Sequence, residues 1–241
     1  MHLSMIIPAY NEAVRIGTTL EQFTAYLVGQ PWSWEIIVVD DGSEDDTSAV
    51  AETFARDWND RVRVVRLDPN RGKGAAVRHG MLLEASGNLR FFSDADGSTP
   101  ISCLDRFLPL LENGVDIVIG SRAHPESVIE VRQQFYREFM GRTYNLMART
   151  LGLTRFRDTQ CGFKGFTRRA AELCFSRQRL DNFAFDCEVL YIAALHGLEV
   201  REVPVRWINS PKSRVRPLRD SARMAAGLLE IRLNGLLGYY R

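Results

Sequence analysis

The chain has 241 residues, enough for one α/β domain with a sizeable core. A formal net charge of +1 excludes whole-protein attraction to nucleic acid, so no nucleic-acid partner is expected, and the 45% apolar and 25% charged residues are ordinary for a soluble globular protein. No apolar run reaches the roughly 20 residues that cross a bilayer, the first residues run straight into Pro8 without a signal-peptide pattern, and the cysteines show neither metal-ligand spacing nor a paired framework; a cytoplasmic location is expected, with contact at a membrane surface left open.

Residues 3–7 form a short β-rich run ended by Pro8, and Ala9, Tyr10, Asn11 and Glu12 follow as its loop. Ile16, Leu20, Phe23 and Leu27 recur at helical spacing and predict a helix over 12–27. The continuous apolar run at 35–39 predicts a parallel strand covered on both faces. It ends in Asp40-Asp41-Gly42-Ser43, with Ser43 and Asp46 spaced as a capping box before the next helix. A third strand spans 62–67, and Asn70-Arg-Gly-Lys-Gly-Ala75 leads into another helix. The fourth strand, around Phe91 and Phe92, delivers Asp94 and Asp96 with only Ala95 between them, and Thr99 followed by Pro100 predicts a helix N-cap. A fifth strand covers 116–120. Strands alternating with helices imply right-handed crossovers and a Rossmann-like α/β architecture, a mainly parallel sheet flanked by helices.

Beyond Gly120 the rhythm changes. One long helix is expected over 132–151, carrying Arg132, Arg137, Arg142 and Arg149. Residues 158–166 read as loop or strand, 185–196 as a helix closed by Gly197, and 200–207 as a late strand whose Pro204 suits a sheet edge. The stretch 209–241 is basic and then amphipathic. Its leucine-rich stripe can lie in a headgroup plane, or pack on its own domain or a dimer partner. The expected organisation is one continuous domain, with a nucleotide half over 1–120 and an acceptor half over 121–241 that ends in the amphipathic helix.

A parallel sheet brings its strand ends to one rim, where ligands collect. Tyr10 with Glu12, Asp40 with Asp41, and Asp94 with Asp96 therefore share that rim. Acidic residues there suit hydrogen bonds to a base and a ribose. Two carboxylates as close as Asp94 and Asp96 suit a hard divalent cation, Mg or Mn, carrying a diphosphate; the bland reading is an acidic turn that caps backbone amides. Tyr10 is placed to stack on a base or simply to pack. Glu12 is placed to take ribose hydroxyls or to favour a helix dipole, and Lys73, between two glycines, to reach a phosphate or to lie exposed. Asp-x-Asp after an apolar strand is also a phosphatase nucleophile pattern, but that pattern sits on a first strand and needs a later acidic pair that this sequence lacks.

Pro8-Ala-Tyr-Asn-Glu12, Val39-Asp-Asp-Gly-Ser43, Gly72-Lys-Gly74, Asp94-Ala-Asp96 and Gly120-Ser-Arg122 together resemble glycosyltransferase family 2, with its GT-A fold, and more narrowly the polyprenyl-phosphate sugar transferases. Arg157-Asp-Thr-Gln-Cys-Gly-Phe-Lys164, Phe185-Asp186-x-Glu188 and the stretch from Trp207 to Pro217 look most like the dolichyl-phosphate β-glucosyltransferase branch. The resemblance implies transfer of glucose from UDP-glucose to a polyprenyl phosphate, with GDP-mannose as the alternative donor and a catalytically silent nucleotide-sugar binding module as the alternative class. It implies base and ribose contacts at Pro8, Tyr10, Glu12 and Asp41, and metal–diphosphate binding at Asp94, Ala95 and Asp96. Mannosyl relatives carry glutamine where this chain has Ser98. Arg122 and Arg132 match arginines near the acceptor phosphate, and Lys212 and Arg214 add charge in the late loop. Many eukaryotic glucosyl relatives carry an N-terminal membrane helix that is not seen in this sequence, and with a lipid-phosphate acceptor implied, this chain is expected to meet the cytoplasmic membrane face peripherally. A phosphate monoester has a second pKa near 6 and needs no dedicated base at neutral pH. Asp186 is the spare catalytic carboxylate, with the N-terminus of the 185–196 helix as its structural alternative.

Overall fold

Residues 1–131, 135–208 and 217–241 are described by the structure, a computed structural model. In chain order the elements are β1 (Leu3–Ala9), α1 (Ile16–Val28), β2 (Trp34–Asp40), α2 (Thr47–Ala55), β3 (Val62–Arg66), α3 (Lys73–His79, prolonged by a wider turn over Gly80–Glu84), β4 (Leu89–Ser93) and α4 (Leu104–Glu112). They continue with β5 (Ile117–Ser121), β6 (Val128–Val131), α5 (Phe135–Thr150), β7 (Phe163–Thr167), α6 (Arg168–Arg177), α7 (Phe185–Leu195), β8 (Val200–Pro204), β9 (Arg206–Ile208) and α8 (Pro217–Leu236). The main sheet has seven strands in the order β3-β2-β1-β4-β7-β5-β8, and β6 pairs with β9 in a separate ribbon.

Every residue of β1 and β2 is buried, which is why both read as unbroken apolar runs. Alternation sorts their side chains to the two faces. Ile6, Ile37, Val39, Phe92 and Phe166 pack under α3, α6, α7 and α8, whereas Met5, Ile7, Ile36, Val38, Phe91 and Phe163 pack under α1 and α4. Pro8 does not end β1. The Ala9 carbonyl accepts from Asp41 on the β2 side, so Pro8, one residue back, faces the β4 side, where pairing has already stopped at Ile6 and Phe92. Its missing N–H therefore costs no ladder bond. Pro204 ends β8, the edge strand beyond β5.

Several local expectations give way. Helix α1 begins at Ile16, after a turn in which the Arg15 and Ile16 amides donate to the Glu12 carbonyl. No capping box forms at α2: the Ser43 hydroxyl turns back to Asp40, and Asp45 accepts the Thr47 amide at 3.0 Å. Thr99 caps no helix, because α4 is reached through a tight turn over Ile101–Cys103 that Pro100 precedes. The expected 132–151 helix begins, among the described residues, at Phe135, behind the strand β6. The late strand is two: past Pro204 the chain leaves β5 and pairs with β6 instead.

Among the described residues, β7 is the one antiparallel strand in the sheet, paired with β4 on one side and β5 on the other. Because it runs backwards, its first residue, Phe163, lies opposite Ser93 at the C-terminal end of β4. The loop before it, 157–162, is thereby brought to the same rim as Asp94 and Asp96.

Candidate active site

The loops after β1 and β2 are laced together. The Asn11 amide donates to the Ser43 hydroxyl at 2.9 Å, the Glu12 amide to Thr47 at 2.7 Å, and the Asn11 side-chain oxygen accepts the Glu44 amide at 2.8 Å. Asn11 adopts a left-handed φ of +56°, a conformation asparagine tolerates better than most residues. Tyr10 is 37% exposed at this rim. The Glu12 carboxylate holds Arg15 at 2.6 Å. Asp40 and Asp41 are both buried, and they face different tasks. Asp40 accepts the Ser43 amide at 3.0 Å and pairs with Arg66 at 3.1 Å. Asp41 accepts the amides of Arg71 at 2.9 Å and Gly72 at 2.7 Å, so its carboxylate fixes the loop that carries Lys73.

Lys73 opens α3, and its ammonium meets Asp94 at 2.6 Å. Burial works against the Lys73 charge, but Asp94 and Asp186 outweigh it and push its pKa up. Burial alone would raise Asp94; the charge and hydrogen bond of Lys73, with Lys164 and Arg122 behind, hold it below the usual carboxylate range. Asp96 goes the other way, pushed up by burial and then by the charge of Asp94, against the Ser98 amide that it accepts at 2.9 Å. Ala95 is buried between them, its carbonyl taken by Thr19 at 2.8 Å. Gly97, at φ +62°, turns the chain after the pair.

The two carboxylates carry more negative charge than Lys73 offsets, and a divalent cation would relieve it. Among the described residues no group of three or more His, Cys, Asp or Glu side chains is gathered to hold a metal. The donor set fits a hard ion that would take Asp94 or Asp96 as protein ligand and would need its other oxygens from outside the protein.

The 157–164 motif supplies the rest of the rim. The Asp94 amide donates to the Gly162 carbonyl at 3.0 Å. A Cβ built on Gly162 would lie 1.9 Å from the Asp94 carboxylate, so only glycine leaves room for that side chain. Asp158 receives a two-pronged fork from Arg122, at 2.7 Å and 2.8 Å, together with the Arg122 amide at 2.9 Å. Burial would raise the Asp158 carboxyl, but Arg122 takes it down to about 2. Lys164 is 1% exposed and pairs with Asp186 at 2.6 Å, itself 4% exposed. Asp186 thus sits in the first turn of α7 and neutralises a buried lysine, and it does not face the rim as an open carboxylate. Of the sequence-predicted residues, Pro8, Tyr10, Glu12, Asp41, Lys73, Asp94, Ala95, Asp96 and Arg122 gather at the C-terminal rim, whereas Arg132, Lys212 and Arg214 lie outside the described residues. Gly162, Asp158 and Lys164 had no role from sequence, although their motif was conspicuous.

A family model for glycosyl transferase family 2 matches residues 4–175. The chain belongs to this family. It is accordingly a glycosyltransferase, with a GT-A fold. Dolichyl-phosphate beta-glucosyltransferase of Drosophila melanogaster is 37% identical over 253 residues, covering 100% of this chain and 77% of that protein. The enzyme of the same description from Dictyostelium discoideum is 33% identical over 252 residues, again covering 100% of this chain and 77% of its own length. Glucosyl-3-phosphoglycerate synthase from Mycobacterium tuberculosis, crystallised with Mn2+, UDP and glucosyl-3-phosphoglycerate, shares the fold at a TM-score of 0.67 and 22% identity, over 98% of this chain and 80% of that one.

Proposed function

We propose that the chain transfers glucose from UDP-glucose to a polyprenyl phosphate such as dolichyl phosphate, with inversion at the sugar. The observation that carries the proposal is the pairing of Lys73 with Asp94 at the C-terminal rim, with Asp96 following in the same turn, in a chain whose whole length aligns with part of the dolichyl-phosphate beta-glucosyltransferases. The half up to residue 120 takes the nucleotide sugar. Pro8, Tyr10 and Glu12 receive base and ribose, and Asp41 contributes by fixing the Lys73 loop. A divalent cation held at Asp94 or Asp96 would offset the charge that builds on the departing diphosphate. Lys73 adds a second positive charge within reach of the same oxygens.

The half from 121 onward takes the acceptor. A lipid phosphate is already a nucleophile at neutral pH, so no protein base is required, and Asp186 can be spent on Lys164. Arg122, held in one orientation by Asp158, presents its remaining N–H groups to that phosphate, with Arg132, Lys212 and Arg214 as further contacts. Attack in line with the leaving diphosphate converts an α-linked donor to a β-linked product. Purified protein with a short polyprenyl phosphate and Mn2+ should move label from UDP-glucose into the lipid phase at least ~10-fold faster than from GDP-mannose, since a site built to hydrogen-bond one base rejects another. Preference for GDP-mannose would overturn the donor, and no lipid product from either would overturn the acceptor.

The acceptor's tail requires a membrane surface. No helix among the described residues is long and apolar enough to cross a membrane. Helix α8 and the turn after it split the two readings of the stripe: Leu228 and Ile231 are fully buried in the core, whereas Leu229, Leu233, Leu236 and Leu237 are 55–69% exposed. Helix α5, packed beside it, adds Phe135 at 82% and Phe139 at 62% exposure. These two helices form the proposed membrane face, on the cytoplasmic side, and the basic run from Lys212 to Arg219 lies next to it in sequence. The protein should float with anionic liposomes at low salt and release as salt rises. Leu233→Asp with Leu237→Asp should cut the bound fraction at least ~10-fold, because each buried leucine contributes roughly 1.5–3 kcal/mol. Full-length protein that stays in the soluble fraction at low salt would remove the membrane face.

A further inference from the structure

One buried carboxylate links the C-terminal end of the chain to the Lys73 loop. Glu188 lies on α7 and is 0% exposed. It accepts the Arg179 amide at 3.0 Å, the Leu180 amide at 2.9 Å and the Tyr240 hydroxyl at 2.7 Å. Three donors converge on an acceptor-only group, which is the chemistry of a carboxylate and of no amide. Tyr240 is 0% exposed; its ring packs edge-on against Tyr191, and its carbonyl meets the His196 ring at 2.7 Å.

The segment that Glu188 fixes, 178–182, leans directly on the Lys73 loop. The Gly74 amide donates to the Asp181 carbonyl at 2.8 Å, and the Gln178 side chain donates to the Gly74 carbonyl at 2.9 Å and to the Leu180 carbonyl at 2.8 Å. A Cβ on Gly72 would lie 2.4 Å from the Asp181 carbonyl oxygen, and one on Gly74 would lie 2.7 Å from that of Leu180. Lys73 is therefore clamped between Asp41 on one side, through the Gly72 amide, and the 178–182 segment on the other.

We propose that Glu188 is a positioning residue for the donor diphosphate: it touches no substrate, and acts through 178–182 on the placement of Lys73. Tyr240 brings the C-terminal end of the chain into the same device, next to the exposed face of α8. The proposal rests on the reading of Lys73 as a diphosphate contact. Among the described residues, the hydrogen-bond partners of the Glu188 carboxylate are the amides of a backbone turn and the Tyr240 hydroxyl, and none is a rim side chain.

The test is UDP binding in Mn2+ by calorimetry, with steady-state kinetics, for Glu188→Gln, Tyr240→Phe, Lys73→Ala and the Glu188→Gln/Lys73→Ala pair. Glu188→Gln keeps the shape but sets an NH2 against a backbone N–H, so UDP affinity and donor KM should worsen about 10-fold, with acceptor KM unchanged within about twofold. Tyr240→Phe should move the same quantities about threefold in the same direction. In the Lys73→Ala background Glu188→Gln should add less than about twofold, since the two act through one group. A purely structural role would lower kcat and leave both KM values alone, and that outcome overturns the proposal. So does a Glu188→Gln loss that multiplies fully with Lys73→Ala. If Glu188→Gln does not fold, unchanged UDP affinity and donor KM in Tyr240→Phe overturn it. Lys73→Ala that binds UDP like the wild type sinks the diphosphate reading of Lys73 itself, whereas a weakened Lys73→Ala beside an unchanged Glu188→Gln sinks only the positioning role.

Discussion

Asp96→Ala should leave a folded protein whose transfer rate has fallen at least ~10²-fold, because a metal clamp on a leaving diphosphate contributes several kcal/mol and each 1.4 kcal/mol or so is a factor of ten. The fold should survive for reasons visible in the structure. Asp96 lies past the end of β4, is half-buried, and accepts the Ser98 amide within its own turn. Losing an acceptor of that kind costs about 1 kcal/mol, a few degrees of melting temperature in a chain this size. The chemistry should be hit much harder. Burial and the neighbouring charge of Asp94 push the Asp96 carboxyl up, and Lys73 is already committed to Asp94, so a divalent cation is the partner that would suit Asp96. Two measurements separate a metal role from a general one. Chelation of the divalent ion should bring the wild type down to the level of the variant, and adding Mn2+ back should rescue the wild type alone. A variant that turns over at near-normal rates would end the assignment of this rim as the donor site.

How far the sequence reached depended on whether the information was local. The unbroken apolar runs of β1 and β2 require burial on both faces, and a strand buried on both faces in a βαβ rhythm can only be central in a parallel sheet. Once that sheet is granted, the placing of Tyr10, Asp41 and Asp94 on one rim follows. The antiparallel β7 does not follow, because Phe163-Lys-Gly-Phe-Thr167 carries no mark of its direction. Its consequences were hidden with it. The fork between Arg122 and Asp158 joins residues 36 apart, and Lys164 meets Asp186 across 22; neither spacing is a helical or strand period. Asp186 looked available because its place at a helix start was readable, while the buried lysine facing it was not. The capping box at Ser43 failed for a different reason. Asp40, Asp45 and Asp46 offer competing acceptors close together in sequence: Asp40 takes the Ser43 hydroxyl, Asp45 takes the Thr47 amide, and the Ser43 oxygen accepts the Asn11 amide of the neighbouring loop.

Gly162→Ala should be nearly as damaging to activity as loss of Asp96, through a single methyl group. The added carbon would stand 1.9 Å, 2.1 Å and 2.6 Å from Asp94 Oδ2, Cγ and Oδ1, so it overlaps the whole carboxylate. Gly162 does not have the left-handed backbone that penalises other residues. The clash falls on the movable end of a side chain at the rim, so Asp94 should swing aside and the backbone of β7 should hold. The shift needed is more than about 1 Å, and a misplacement of that size at a reacting centre costs ~10²-fold in rate. It also breaks the pair with Lys73, which at 2.6 Å tolerates no such movement. The expected result is a well-folded protein with a melting temperature lowered by a few degrees and a transfer rate down about 10²-fold. Asp94→Ala supplies the discriminating partner. With the carboxylate gone there is space for the methyl, so Gly162→Ala should add almost nothing to Asp94→Ala, the signature of two changes acting on one group. A Gly162→Ala protein that keeps most of its turnover, or one whose loss multiplies with that of Asp94→Ala, would mean that the Asp94 carboxylate does not act from the position it occupies against Gly162.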